Sequence, residues 1–399
     1  MPRMSRRIAL PLSAGLLFAG VAPVSAQAEF QACLSGLRST ITAQGVSAST
    51  FDQATRGLQP DMKVIDSLND QPEFKTPIWD YLSALVDDER IADGRAMLRQ
   101  WSQALSVAES RYGVDRHVIV AVWGVESDFG RAIGKRPLVQ SLATLSCYGR
   151  RQGYFRGELA ATMKILDRGD VAADHLTGSW AGAFGHTQFM PSTFLRLAVD
   201  LDGDGRRDVV DSIPDALGST ANFLHKAGWT QGMTWGFEVK LPPGFNTALA
   251  GRTKKRPMAA WEHLGVRRAD GRAMPGGSAG LILPAGPNGP AFLVTRNFDA
   301  IYGYNAAESY ALAIAHLSDR LKGAGPFVTP WPTNDRGLSR AERRELQALL
   351  TRKGYDVGQP DGAIGNKTRE AIADFQVRNG MQRNGRASGS VLDALRAGR

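Results

Sequence analysis

Cysteine is nearly absent from this chain: Cys33 and Cys147 are the only two in 399 residues. At most one bridge can form, and neither thiol has a recognisable His partner that would mark it as a nucleophile. In an oxidising compartment the pair would close a long loop from the N-terminal segment to the region after residue 130; two buried thiols are the alternative. Long apolar runs are absent too, except near the N-terminus, so no later stretch can span a bilayer. Acidic excess is also lacking. The formal net charge is +9, and most of what the N-terminal arginines do not supply lies in residues 337–399. The body before residue 337 is close to neutral, so a basic surface belongs to the tail.

What is present begins with a leader. Arg3, Arg6 and Arg7 precede an apolar stretch from Ile8 to Ala22 and a small-residue end, Val24-Ser25-Ala26. Residues 1–26 read as a secretory signal peptide cut after Ala26. The next residue is Gln27 rather than Cys, so no lipid-anchor site is expected. The predicted product is soluble and exported, periplasmic or otherwise outside the cytoplasm. No nucleic acid is expected as partner there; an anionic polymer such as a cell wall suits the basic tail, although solubility alone also accounts for it.

The remaining length suits a large domain with a satellite. Helical spacing recurs at Phe51, Ala54 and Leu58, then at Trp79, Leu82, Leu85 and Val86, and one long helix is expected over Ala92–Tyr112. Further helices are predicted over Phe155–Leu166, Pro191–Ala198 and Pro214–Ala227. Between Trp235 and Phe298 the pattern changes: Phe237–Leu241, Ala279–Leu283 and Ala291–Val294 read as strands, a small β region inserted in a helical body. Pro326, Pro330 and Pro332 mark a linker at 323–336. Beyond it Ser339 and Glu342 form a capping box, and the tail reads as three short helices, a binding module with little room for catalysis.

The central stretch is Gly113 to Gly130. Asp115 is a candidate N-cap, Val118 to Val125 is almost wholly apolar, and Gly130 is a candidate stop, which predicts a buried helix with Glu126 in its last turn. The negative end of the helix dipole and the apolar neighbours Trp123 and Phe129 both disfavour ionisation. That is how a general acid for neutral pH is made, though a Glu turning to solvent at a helix end reads the same locally. Asp128 points to another side of the helix and is a poor second catalyst.

Other segments offer binding groups. Arg150, Arg151 and Tyr154 combine guanidinium and aromatic faces suited to sugars, or form ordinary surface. Residues 178–194 set Gly and Ala among aromatics, with Ser179 and Gln188 as hydrogen-bonding groups of a groove or a structural loop. Asp200, Asp202, Asp204, Gly205, Arg206 through its carbonyl, and Asp211 occupy the ligand and glycine positions of a twelve-residue calcium loop. Arg207 departs from the usual apolar position and Asp211 replaces the usual Glu. Structural calcium or a solvated acidic turn are the two readings. Tyr304, Asn305 and Tyr310 place two rings and an amide near a helix start, as substrate contacts or as a packed pair with Asn305 as cap.

Taken together, the Gly-Val-Glu-Ser, Cys-Tyr-Gly-Arg-Arg, Ser-Trp-Ala-Gly-Ala-Phe-Gly and Gln-Phe-Met-Pro segments, the acidic loop and Tyr-Asn resemble the lytic murein transglycosylase B family over residues 29 to 322. The tail resembles a three-helix peptidoglycan-binding domain. The resemblance implies a mainly α (α+β) chain: a lysozyme-like catalytic domain at 27–322 and a peptidoglycan-binding domain at 337–399. It implies non-hydrolytic cleavage of the MurNAc-GlcNAc bond of peptidoglycan, giving 1,6-anhydro ends, with Glu126 as acid and then base and no catalytic cofactor. Ser179 corresponds to a serine near the reacting acetamido group, Gln188 and Asn305 to orienting groups, Tyr304 and Tyr310 to ring platforms. His186 and Thr187 have no clear counterpart. Other cell-wall enzymes are candidate partners. A muramidase hydrolase and a silent wall-binding scaffold are the competing readings.

Overall fold

Helix Arg116–Ser127 is the axis of the body, and the computed structural model, which describes residues 26–69 and 76–398, buries it on nearly every side. Val118 through Gly124 are all buried. They pack against Leu312, Ile314 and Leu317 of helix Glu308–Leu321, Leu217 and Leu224 of helix Ile213–Lys226, and Ile91 of helix Asp88–Gln100. Each fully buried Val or Ile contributes about 1.5–3 kcal/mol, so packing rather than propensity holds this helix and gives its last turn a rigid support. Asp115 caps the start as expected, accepting from the His117 N–H. The stop comes earlier than expected. Asp128, not Gly130, is the left-handed C-cap, and Gly124 makes room for Phe129 to fold back, since a Cβ there would meet the Phe129 ring at 2.7 Å.

A second core lies under the N-terminal helices. Phe30, Leu34 and Phe51 pack on Leu142, Leu145 and Leu159 from helices Leu138–Tyr148 and Gln152–Arg168. Cys33 and Cys147 are bridged, with Cα atoms 6.0 Å apart, which ties the first helix to this pair. The signal-peptide region lies outside the described residues, apart from Ala26, where that first helix begins. The helix expected over Ala92–Tyr112 is two, Asp88–Gln100 and Ser102–Tyr112, which meet at Trp101.

The inserted β region is a five-stranded antiparallel sheet in the order Gly251–Pro257, Ser278–Ile282, Ala291–Val294, Gly236–Lys240, Arg267–Arg268. Its three apolar strands follow the sequence pattern. The two charged strands, at opposite edges, do not carry the apolar signal of a strand, because an edge strand rich in Lys and Arg is selected for resisting further pairing rather than for burial.

The tail is three helices, Arg340–Arg352, Asn366–Arg378 and Gly389–Arg396, around Leu346, Leu350, Ile372, Phe375 and Leu392. Ser339 and Glu342 form both halves of the capping box. This module has its own core yet docks on the body. Arg386 grips both carboxylate oxygens of Asp80 at 2.6 and 2.8 Å and also pairs with Asp335. Among the described residues, no helix is long and apolar enough to cross a membrane.

Candidate active site

Glu126 sits one residue from the end of its helix, at a partly exposed position. Its Oε1 accepts a short hydrogen bond from the Tyr310 hydroxyl. Burial pushes the carboxyl up to about 7, against the opposing pull of that hydrogen bond. No neighbouring charge contributes to this shift. A carboxylic acid that still holds its proton near neutrality is therefore placed beside a phenol.

Two chains of contact join this helix to the aromatic loop. In the first, Tyr310 stacks on Tyr304 with ring centres 6.3 Å apart, and the Tyr304 hydroxyl donates to the Thr187 carbonyl at 2.8 Å. Phe223 and Phe189 close round Tyr304. In the second, Ser127 Oγ donates to the His186 carbonyl at 2.5 Å, and Trp123 Nε1 donates to His186 Nδ1 at 3.1 Å. An Nδ1 that accepts belongs to a neutral imidazole, and burial lowers the His186 pKa in agreement. Gly130, at φ +86, is required here: a Cβ would lie 2.4 Å from His186 Cε1.

The loop residues named from sequence divide. Ser179 Oγ accepts from the Ala183 N–H at 3.1 Å and its N–H donates to the Ala183 carbonyl at 2.7 Å, which folds the turn and leaves the hydroxyl hydrogen to donate outward. Gln188, in the left-handed region at φ 52, uses its amide nitrogen on the carbonyls of Ile133 and Gly185, at 3.0 and 2.9 Å. That nitrogen braces the loop, and the amide oxygen is the part that remains for a ligand. Tyr310 differs from the ring-platform expectation. It is 3% exposed, and its hydroxyl is bonded to Glu126. Asn305 is exposed and ends helix Arg296–Asn305; it does not cap the next helix, whose N-cap is Ala307.

Arg150, Arg151 and Tyr154 lie at the junction of helices Leu138–Tyr148 and Gln152–Arg168. Arg150 donates to the Leu68 carbonyl at 2.9 Å, and Arg151 lies over the Tyr154 ring at 4.5 Å. Among the described residues, none of their hydrogen bonds or ring contacts reaches Glu126 or the aromatic loop.

In the acidic loop, oxygen atoms of Asp200, Asp202, Asp204 and Asp215 lie within 4.8 Å of one another. Asp211 is turned away, paired with His175 Nδ1 at 2.6 Å. The fourth carboxylate of the cluster is Asp215, in the first turn of helix Ile213–Lys226, accepting from the Leu201 and Asp208 N–H groups at 2.7 and 2.8 Å. Burial pushes its carboxyl up to about 6, with the Asp202 charge adding to the shift. Arg207 occupies its unexpected position because its guanidinium pairs with Asp170, Nε lying 3.3 Å from Oδ1. Arg206 donates its N–H to Asp204 at 2.8 Å.

Sequence reading missed His186, Thr187, Trp123 and Ser127 as the clamp on the acid helix. The available signal was an aromatic loop carrying a lone His, without the distances that pair it. A cavity of about 1200 Å³ lies elsewhere, between Trp235–Glu238 and Gly323–Val328, and Glu126 is not in its wall.

Residues 29–319 match the sequence model of the transglycosylase SLT domain. The chain belongs to this family. A second match, to a peptidoglycan binding domain, covers residues 339–395. A curated relative, the membrane-bound lytic murein transglycosylase B of Escherichia coli, is 33% identical over 250 residues, 59% of this chain. The match spans 65% of that relative's length, just under two thirds. Among solved structures, Pseudomonas aeruginosa SltB3 in complex with NAG-anhNAM-pentapeptide is 45% identical, covering 92% of this chain and 99% of its own, with a TM-score of 0.75. Escherichia coli Slt35 in complex with calcium is 27% identical, covering 75% and 94%, with a TM-score of 0.64. This SLT-domain chain thus shares the mainly helical, lysozyme-like fold of its relatives.

One expectation follows from the Tyr310 bond. Because that bond lowers the Glu126 pKa, Tyr310→Phe moves it further up from about 7. Cleavage that needs protonated Glu126 then loses its rate at a higher pH than in the native protein. The pH dependence of kcat/KM on a glycan substrate reads this directly, and a shift to lower pH contradicts the assignment.

Proposed function

We propose that this chain is an exported lytic transglycosylase that cleaves the MurNAc-GlcNAc bond of peptidoglycan and leaves 1,6-anhydro-MurNAc ends. The observation that carries the reading is Glu126 itself: a carboxyl with its pKa at about 7, bonded to Tyr310 and perturbed by no second charge. Asp128, the nearest carboxylate in sequence, is occupied by Arg90, Arg131 and Arg340. Glycosidases that act through two protein carboxylates place them within about 10 Å across the bond. Among the described residues no second carboxylate is a cause of the Glu126 shift, so we assign the second role to the substrate.

Protonated Glu126 gives its proton to the glycosidic oxygen as the bond from the muramyl C1 breaks, and the substrate's acetamido group stabilises the anomeric carbon. The carboxylate then takes the proton from the muramyl 6-hydroxyl while that oxygen bonds C1. The acid is regenerated and no water is consumed. Tyr310 holds the carboxylate in place and stabilises its charged form between the two steps. Ser179 faces the acetamido group, the Gln188 oxygen and Asn305 orient the sugars, the Tyr304 ring backs the Glu126–Tyr310 pair, and Arg150, Arg151 and Tyr154 are outlying strand contacts. Residues 27–322 form the catalytic domain, 323–336 the linker, and 337–399 the wall-binding domain. The complex of SltB3 with an anhydro-sugar pentapeptide supports the product assignment.

The acidic loop fits a structural calcium ion. Its donors are hard carboxylate oxygens, and Asp215, raised in pKa and buried, is a group that a cation would relieve. Asp200, Asp202, Asp204 and Asp215 would hold it, with the Arg206 carbonyl, and Asp211 joins only if it leaves His175. The role is to pin the loop to helix Ile213–Lys226. Calcium is expected to raise the thermal midpoint, with about 2.7 kcal/mol gained at a hundredfold excess over Kd, and a chelator to reverse this. Asp200→Asn removes the response; an unchanged midpoint in the native protein contradicts the site.

Digestion of purified peptidoglycan with mass analysis of the soluble fragments tests the reading. Anhydro ends support it. Reducing ends indicate a muramidase hydrolase, and intact walls with bound protein indicate a scaffold; either overturns it.

A further inference from the structure

The turn that follows Glu126 is strained. Asp128 (φ 51) and Phe129 (φ 59) are consecutive non-glycine residues in the left-handed region, which L side chains avoid. Such a turn persists only where its surroundings hold it. Phe129 is held by packing, edge-on to Trp123 with ring centres 5.7 Å apart. Asp128 is held by charge. Arg90 Nη2 lies 3.4 Å from Oδ1, Arg131 Nη1 3.1 Å from Oδ2, and Arg340 Nη1 2.5 Å from Oδ1.

Arg340 differs in origin from the other two. It opens the first helix of the C-terminal module, 212 residues away in sequence. Its remaining groups are committed to the same face of the body: Nη2 to Asp93 at 3.0 Å, Nε to Glu89 at 3.1 Å, and its backbone N–H to Asp87 at 2.9 Å. The side chain is 12% exposed and that of Asp128 19%. A guanidinium withdrawn from water and shared among three carboxylates has a fixed direction, as an ammonium would not. The neighbouring Arg344 also docks on Glu89, at 2.6 Å, but does not reach Asp128.

We propose that Arg340 is a positioning residue for Glu126, a proposal that rests on the reading of Glu126 as the acid. The docked module fixes Asp128, Asp128 fixes the strained turn, and the turn fixes the last helical residues that aim the carboxyl. The C-terminal module then serves catalysis in cis as well as wall attachment. Its contribution is present even on a soluble glycan too short to engage both domains.

The test uses the full chain and a peptide-free GlcNAc-MurNAc tetrasaccharide. Arg340→Ala is expected to lower kcat about tenfold with KM changed less than twofold, while retention on insoluble peptidoglycan stays within twofold of native. Arg340→Lys recovers part of the loss. Asp128→Asn lowers kcat similarly, and the double variant loses less than the product of the two single losses, because both remove the Arg340–Asp128 bond they share. Arg344→Ala, which loosens docking without touching Asp128, keeps native kcat. The inference is overturned if folded Arg340→Ala, or Asp128→Asn where Arg340→Ala does not fold, turns over at the native rate. It is also overturned if Arg344→Ala loses as much as Arg340→Ala. Failure of the native chain to cleave the glycan, or cleavage by Glu126→Gln at the native rate, overturns instead the site reading beneath it.

Discussion

Glu126→Gln is expected to slow glycan cleavage by roughly 10²–10⁴-fold, the usual contribution of a positioned general acid or base, while leaving the fold intact. The amide keeps the shape and accepts the Tyr310 hydrogen bond, but has no proton to give and cannot take one from the 6-hydroxyl. Both halves of the reaction fail together, so the loss appears in kcat. The same substitution is expected to stabilise the protein above neutral pH. Below the ordinary value of 4.5 both folded and unfolded chains hold the proton, and Glu126 carries no penalty. As pH rises from 4.5 to about 7 the unfolded chain releases its proton first, so stability falls through this window. Above it the cost reaches at most about 3–4 kcal/mol, at about 1.4 kcal/mol per pKa unit, less whatever partial access to water recovers. Denaturation of native and Glu126→Gln proteins at pH 4 and pH 8 checks the sign. The two should coincide at pH 4 and separate at pH 8, with the variant the more stable. A carboxyl that merely faces solvent would give neither the rate loss nor the stabilisation.

Removing the Cys33–Cys147 bridge is expected to cost about 5 kcal/mol, since the residues are 114 apart and closing a loop of that length confines the unfolded chain by about that much. The loss falls on the second core, where the first helix packs Phe30 and Leu34 on Leu142 and Leu145. Phe30 stacks on Tyr148 beside the bridge, 6.1 Å between ring centres, so this core keeps some hold without it. The first helix should loosen before the Glu126 helix, which belongs to a different core. Chemical denaturation of native and Cys33→Ser/Cys147→Ser chains, with cleavage assayed at a temperature where both are folded, checks this. A large stability loss with nearly native kcat is expected. Unchanged stability contradicts the role of the bridge.

How far the sequence carried depends on the range of each interaction. The Glu126 helix was legible because its N-cap and apolar run are local, and the tail because its capping box and Leu spacing are local. The break at Trp101 was not, because no Pro or Gly marks it, and apolar spacing continues across it. Strand Gly251–Pro257 escaped for a different reason: Arg252, Lys254, Lys255 and Arg256 leave no alternation to read. Site geometry was least legible where partners are far apart. Tyr310 reaches Glu126 across 184 residues, and a Tyr before an apolar helix gives no sign in the sequence of where its hydroxyl points. The twelfth loop position belongs to Asp211, but the carboxylate the fold gathers with Asp200, Asp202 and Asp204 is Asp215, four residues further on, which no loop spacing reveals. Arg340, inside a capping-box helix, carries no local signal of its partner Asp128, 212 residues away.

The measurement that bears most directly on the central claim is digestion of peptidoglycan in water enriched in ¹⁸O, followed by mass analysis of the newly formed muramyl ends. A single carboxyl acting as acid and then base, with the 6-hydroxyl as nucleophile, incorporates no solvent oxygen and gives ends lighter by one water than hydrolysis would. Heavy oxygen at those ends as they form would mean that water attacks C1, and the account of Glu126 would be wrong.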